Sequence, residues 1–293
     1  MYNTFIINET EDNMREIDLH VHTNISDGSE TPEATVKYAK VIGLKAIAVT
    51  DHDNVGGITA AKAAGEKYGL EVVGGLELGC GWYGKEVHML AYDVDINDKW
   101  LRAHLGWIIT DRHERNEKMA KLISDDGIRI DLAELEQRYK GSSIGRPHFA
   151  VALVEQGLAT DVQDAFHRYL DPGCKYYIRR SFLSVEEAAE MIRGAGGKPV
   201  IAHPGQYRLT EERMTELMQR SEKAGVAGLE CYYSGYGEKQ VAEYLAYAEK
   251  YGFCATAGSD WHGKHKPHIQ LGSGINGELS APYELLRKLR EHD

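Results

Sequence analysis

Apolar and polar residues alternate from Ile17, with Ile17, Leu19 and Val21 on one parity and Asp18, His20 and His22 on the other. That period predicts a half-buried β-strand whose two histidines leave the face opposite the aliphatic side chains. Apolar runs predict six more strands, at Leu44–Thr50, Leu70–Leu78, Lys85–Val94, Lys198–His203, Val226–Tyr233 and Phe253–Ser259. Between them lie helical patterns. Thr31-Pro32-Glu33 starts one that runs to Gly43, with threonine as cap and proline at the first helical position. Others cover Ile58–Tyr68, Thr210–Lys223, Glu238–Gly252 and Pro282–His292, and Ser184 with Glu187 forms a capping box before a further one. Apolar strands joined mostly by helices predict a parallel sheet or barrel. In such folds the chemistry gathers at the carboxyl ends of the strands.

The polar residues of interest fall at those ends. His20 and His22 end the first strand, His52 follows the second in TDHD, Glu77 ends the third and His88 sits in the fourth. His203 ends the fifth in AHPG, Glu230 ends the sixth, and Asp260 and His262 follow the seventh in GSDWHG. An isolated HxH pair is more often two exposed strand histidines than a metal site. Seven strands that each deliver an acid or imidazole to one end reverse that preference.

Composition narrows the partners. A formal charge of −11 over 293 residues argues against general nucleic-acid binding, which needs a basic track along the phosphates. There is no apolar run of the roughly 18 residues that would predict a spanning helix, so no membrane partner is expected. The polar, acidic start lacks the blocks of a signal peptide and reads as a short extension over residues 1–15. Cys80, Cys174, Cys231 and Cys254 form no CxxC pair and read as free thiols in a reducing, cytoplasmic compartment. Nothing in the sequence indicates an oligomeric state.

HxH with a following Asp27, then TDHD, a strand-end Glu, a strand His, HPG and SDxH together resemble the PHP (polymerase and histidinol phosphatase) family of metal-dependent phosphoesterases. The resemblance covers Ile17 to about Tyr92 and Lys198 onward, most like the branch acting on nucleotides and small metabolites. It implies an α/β fold, a distorted seven-stranded (βα)7 barrel of residues 16–94 and 181–293, with a small helical insertion domain at 95–180. It also implies three divalent ions, manganese, iron or zinc. His20, His22, Glu77 and Asp260 would hold the first. Glu77, His88 and His203 would hold the second, and Asp27, His52 and His262 the third. Three dications against three ligand carboxylates leave a surplus of positive charge for a small phosphorylated substrate. The implied reaction is attack of a metal-bridging hydroxide on phosphorus, with Asp260, His262, His203 and Glu77 as the catalytic set. Asp53, in the same TDHD turn, either orients His52 or caps the next helix.

The insertion carries the substrate candidates. Arg146 precedes Pro147 at a predicted helix start, a natural phosphate clamp, and relatives carry an arginine in a similar motif. His148 reads as a residue of the first helical turn. KYYIRR, Lys175–Arg180, reads by default as a solvated charge run. If functional, it would bind a second phosphate or stack on a base; Arg146, His203, Arg179 and Arg180 are the substrate-binding candidates. RHERNEK reads as a solvated mixed-charge helix face. Gln206 stands where relatives often have arginine, which weakens transfer of any relative's nucleotide preference. The expected substrate is a mononucleotide, nucleotide bisphosphate or sugar phosphate. A cyclic-phosphate diesterase, a 5′–3′ exonuclease on short oligonucleotides and a non-catalytic metal-binding module stay open as alternatives. Amidohydrolase barrels also begin with HxH, but TDHD with GSDWH fits the phosphoesterase pattern better.

Overall fold

The computed structural model describes residues 15–140 and 144–292, so the expected N-terminal extension lies outside them except for Arg15. One mixed sheet forms the centre. Its strands are β1 (Ile17–Val21), β2 (Ala46–Val49), β3 (Glu71–Trp82), β4 (Lys85–Tyr92), the short β5 (Leu183–Ser184), β6 (Lys198–Ile201), β7 (Gly228–Tyr233) and β8 (Cys254–Gly258). Their order is β1-β2-β3-β4-β6-β7-β8, with β5 beside β3. Just past β8 the chain returns to β1. Asp260 N donates to His20 O at 2.9 Å and His22 N donates to Trp261 O at 3.0 Å, nearly closing a distorted α/β barrel.

The sheet is not wholly parallel, as the helical connections had predicted. β4 runs antiparallel to both β3 and β6. The cause is local. Tyr83 and Gly84, both at positive φ, turn β3 directly into β4 and leave no room for a crossover helix. β1 departs from the simple pattern too. Its register slips between Asp18 and Val21, so Ile17 and Leu19 pack in one core cluster and Val21 in another. All five of its residues are buried rather than half-buried, because the polar side chains face a covered site instead of water.

Helices α1 (Pro32–Val41) and α2 (Ile58–Tyr68) cover β1 and β2. Thr31 caps α1 by accepting from Ala34 N. The insertion contains α3 (Lys99–Asp125), α4 (Leu132–Arg138), α5 (Arg146–Glu155) and α6 (Val162–Ala165), the last running into a π turn at Phe166–Leu170. It has its own core of Met119, Ile123, Leu135, Phe149, Leu153, Leu170 and Tyr176. The first half of α3 instead lays Leu101, Leu105 and Ile108 into the barrel core. One continuous helix therefore carries the insertion over the barrel end. Past it, α7 (Val185–Gly194) starts from the Ser184/Glu187 capping box, and α8 (Glu211–Lys223), α9 (Glu238–Tyr251) and α10 (Glu284–Glu291) complete the outer layer. No helix among the described residues is long and apolar enough to cross a membrane.

Candidate metal centre

The carboxyl ends of β1, β2, β6 and β8, with the middles of β3 and β4, deliver side chains to one buried cluster. Spacing explains most of it: His20 on β1 and His22 just past its end are two residues apart, and both point inward. His203 (φ 21°) and Asp260 (φ 58°) sit in strained backbone just past their strands, which turns both inward. The potential metal-holding groups are His22, Asp27, His52 and His262; His20, Glu77 and His203; His20, His22 and Asp260; and His52, Glu77 and His88. They comprise the nine positions named from the sequence. His52 faces Glu77 and His88 as well as Asp27 and His262.

Glu77 is the centre of this geometry. Its Oε1 lies 2.8 Å from both His88 Nδ1 and His203 Nε2. Its Oε2 lies 3.0 Å from His52 Nδ1, 3.2 Å from His22 Nε2 and 3.3 Å from His20 Nε2. Despite those neighbours, the buried Oε2 accepts no well-formed hydrogen bond. His20 Nε2 and His22 Nε2 face each other at 3.1 Å, and Asp260 Oδ1 is 3.2 Å from His22 Nε2. Imidazole and carboxylate lone pairs converging on shared points, with an orphaned carboxylate oxygen among them, fit divalent cations of the borderline class.

A second layer fixes these groups. Glu230 takes His20 Nδ1 at 3.0 Å and accepts from His203 N at 2.7 Å, so it orients an imidazole rather than lining the pocket. Asp260 turns its Oδ2 away, to the Tyr233 hydroxyl and Lys266 Nζ, each at 2.8 Å. Asp18 accepts from Ser259 N, Gly272 N and His20 N, tying the barrel seam together. Electrostatics follow the packing. Burial opposes charge on His22, but Asp260, Glu77 and Asp27 outweigh it and raise its pKa to about 9. Burial likewise opposes ionisation of Asp27, Glu77 and Asp260; the histidines around the two former, and Lys266 with histidines around the last, hold all three well below the usual carboxylate range.

Two cavities open from the cluster. One, of about 110 Å³, is bordered by Asp27, His52 and His88 on the barrel side and by Arg112, Arg115, Arg146 and Arg180 on the other. The second, of about 250 Å³, shares Asp27 and His52 but is walled by Tyr139, Pro147, Val151, Val162 and Phe166, with His265 and Lys266 at its edge. Arg146 opens α5 and points Nη2 at Glu86 Oε2, 3.1 Å away. Asp53 neither orients His52 nor caps a helix. It accepts from Gly79 N and is paired with Arg112 and Arg180.

KYYIRR is not a solvated run. Tyr176 joins the insertion core and Arg180 is buried on Asp53, whereas Arg179 is exposed and lines neither cavity. The solvated reading of RHERNEK fails for Arg112 and Arg115, because that face of α3 closes over the barrel mouth. His148 is buried in the first turn of α5, where its Nδ1 accepts from Gly145 N, yet it borders both cavities. Gln206 is exposed. Sequence reasoning missed Glu86, Arg112, Arg115 and Lys266. A signal existed for two sets: Glu86 is two residues before His88 on one strand face, and Arg112 and Arg115 are spaced for one helix face.

The PHP domain model matches residues 18–226. The chain is 33% identical over 251 residues to a 3′,5′-nucleoside bisphosphate phosphatase from Chromobacterium violaceum, covering 85% of this chain and 88% of that one. It is 30% identical over 257 residues to a 5′-3′ exoribonuclease from Escherichia coli, covering 87% of each. A crystal structure from Bifidobacterium adolescentis, assigned as a metal-dependent phosphoesterase, superposes with a TM-score of 0.83 at 32% identity, covering 94% of this chain and 95% of that one. The nine converging imidazoles and carboxylates, the nearly closed barrel and these matches agree: the chain belongs to the PHP family and is a metal-dependent phosphoesterase.

Proposed function

We propose that this enzyme removes phosphate from a small phosphorylated metabolite in the cytoplasm, using three divalent ions, with manganese the first to test. The substrate is a mononucleotide, a nucleoside bisphosphate or a sugar phosphate. One observation carries the reading: a ligand cluster suited to divalent cations opens directly onto a wall of arginines, with Asp27, His52 and His88 bordering both. Such a wall attracts phosphoryl oxygens, and the small volume suits a metabolite better than a nucleic-acid track.

Glu77 reaches His88 and His203 with one oxygen and His20, His22 and His52 with the other, so it joins two halves of the cluster. His20, His22 and Asp260 complete one half; Asp27, His52 and His262 form the outer edge nearest the cavities. Bound divalent ions would supply Lewis acidity toward phosphoryl oxygens and make a water acidic enough to react near neutral pH. Arg146, held by Glu86, orients the phosphoryl group at the cavity mouth. The apolar cavity beside it takes the leaving group and excludes water.

The relationship to an exoribonuclease supports a second reading, trimming of short oligonucleotides from the 5′ end. The test is phosphate release by manganese-loaded protein on mononucleotides, nucleoside bisphosphates, sugar phosphates, five-membered cyclic phosphates and short oligonucleotides, with Asp260→Asn as control. Monoester hydrolysis lost in Asp260→Asn supports the main reading. Turnover confined to oligonucleotides or cyclic esters replaces it, and silence with metals bound refutes it.

A further inference from the structure

Among the described residues, Asp27, His52, Pro147, His148 and Phe166 border both cavities that open from the cluster. Asp27 and His52 belong to the cluster itself, and the side chains of Pro147 and Phe166 carry no donor. His148 is therefore the one side chain at the junction, outside the cluster, that offers a hydrogen bond. Its ring is fixed on two sides. Nδ1 accepts from Gly145 N at 3.1 Å in the first turn of α5, and Tyr139 packs edge-on with ring centroids 4.5 Å apart. With Nδ1 accepting, the ring proton sits on Nε2. His148 is 4% exposed, and its Nε2 has no partner in the fold, yet it is not sealed off as the Nε atoms of Arg112, Arg115 and Arg180 are. A nearly buried donor with no acceptor, at the edge of a cavity junction, is completed by an acceptor on a ligand. Burial holds the His148 pKa down to about 4, so the ring is neutral at neutral pH.

We propose that His148 donates its Nε2–H to the ester oxygen that joins the phosphoryl group to its leaving group, and so stabilises the charge that collects there as the bond breaks. This rests on the phosphoester reading and adds a catalytic residue to it. The division of the site gives the placement. Phosphorus sits over Asp27, His52 and His88, the leaving group fills the apolar cavity, and the ester oxygen lies between them, at the junction that His148 borders. As water bonds to phosphorus, the ester P–O bond breaks and its electron pair stays on the ester oxygen. The alkoxide gains a proton equivalent to the one that the attacking water gives up. His148 keeps its own proton, because a neutral imidazole is too weak an acid to surrender Nε2–H and the Gly145 amide blocks a second proton on Nδ1. Its contribution is a hydrogen bond, strongest where the leaving oxygen carries the most charge.

The test measures single-turnover rates of manganese-loaded wild type, His148→Asn and His148→Gln. The esters are p-nitrophenyl, phenyl and benzyl phosphate and AMP, whose leaving groups run from an acidic phenol to basic alcohols. Asparagine keeps an acceptor for Gly145 N where Nδ1 stood but has no donor at the Nε2 position, whereas glutamine reaches that position with an N–H. His148→Asn should lose only a few-fold on p-nitrophenyl phosphate but roughly 100- to 1,000-fold on benzyl phosphate and AMP, with partial recovery in His148→Gln. Bound manganese, measured by elemental analysis, should match wild type. The same loss on every ester, or none, overturns the proposal, because a residue that only packs α5 does not sense the leaving group. A loss traced to missing metal overturns it too. If His148→Asn fails to fold, His148→Phe, which keeps a ring against Tyr139 and has no donor, takes the same test with the same expectation. Wild-type protein that binds manganese and cleaves none of the esters refutes the phosphoester reading and the proposal with it. Cleavage without a leaving-group-dependent loss in the variants refutes the proposal alone.

Discussion

Arg180 Nη2 lies 3.1 Å from Asp53 Oδ2, and Arg112 pairs with the same oxygen. One acid, adjacent in sequence to His52, thereby ties the long insertion helix and the returning chain to the barrel mouth. Burial opposes the Asp53 charge, yet Arg180 and Arg112 keep its pKa below the ordinary value. Its stabilisation is therefore present above about pH 4 and is lost as pH falls through the lowered folded value. Asp53→Ala leaves two buried guanidinium groups without their shared partner. It should cost about 3 kcal/mol or more in urea unfolding and raise KM as the cavity wall loosens. A change within about 0.5 kcal/mol would show that the pairs behave as solvated surface contacts.

Arg146 is one-quarter exposed and held by a single acid, Glu86, so removing it leaves less buried charge stranded. Arg146→Ala should raise KM for monoesters by roughly 10-fold or more while the melting temperature changes little. Steady-state kinetics on the best monoester decides this. Unchanged kinetics would remove Arg146 from the substrate site.

The barrel and its candidate ligands were legible because most of them sit at or just past strand ends, which apolar runs mark, while Glu77 and His88 lie within the strands themselves. His20 and His22 needed only the two-residue period, and His203 and Asp260 the small, turn-forming residues beside them. The antiparallel β4 was less legible, since a run such as KEVHMLAY reads the same in either direction and only Tyr83-Gly84 hints at a hairpin. The arginine wall was hidden for a different reason. Arg112 and Arg115 belong to a mixed-charge helical stretch, and their burial depends on where α3 lies over the barrel, a tertiary fact without a local signal. Lys266 is placed by an irregular loop beyond β8 and meets Asp260 only in the folded chain.

Glu230 tests how far the metal centre depends on groups that do not face it. Its Oε1 holds His20 Nδ1 and its Oε2 holds the His203 backbone, so it sets the direction of two of the converging imidazoles at once. Glu230→Gln retains the shape but offers a weaker, half-donating partner. Metal affinity or turnover should fall by about 10- to 100-fold, with bound-metal content measured by elemental analysis alongside activity. Full occupancy and wild-type turnover would show that His20 is fixed by packing alone.

The protonation of the cluster makes metal dependence a function of pH. In metal-free protein, burial opposes charge on His20 and His22, but Glu230 and Glu77 around the first, and Asp260, Glu77 and Asp27 around the second, raise both pKa values, His22 to about 9. For a histidine raised on folding, the stabilisation is complete below the unfolded value of about 6.5 and is lost as pH rises through the folded value. The chelator-treated protein should therefore lose stability between about pH 6.5 and 9. Metal binding requires these imidazoles neutral, so it releases protons and strengthens over the same window. The gap in melting temperature between manganese-loaded and chelator-treated protein should widen by roughly 5 °C or more from pH 6.5 to 9. Proton release on manganese addition, measured in weak buffer at pH 7, should accompany it. A constant gap with no proton release would mean that His20 and His22 are already neutral in the empty cluster, and that the acids around them are held by other charges.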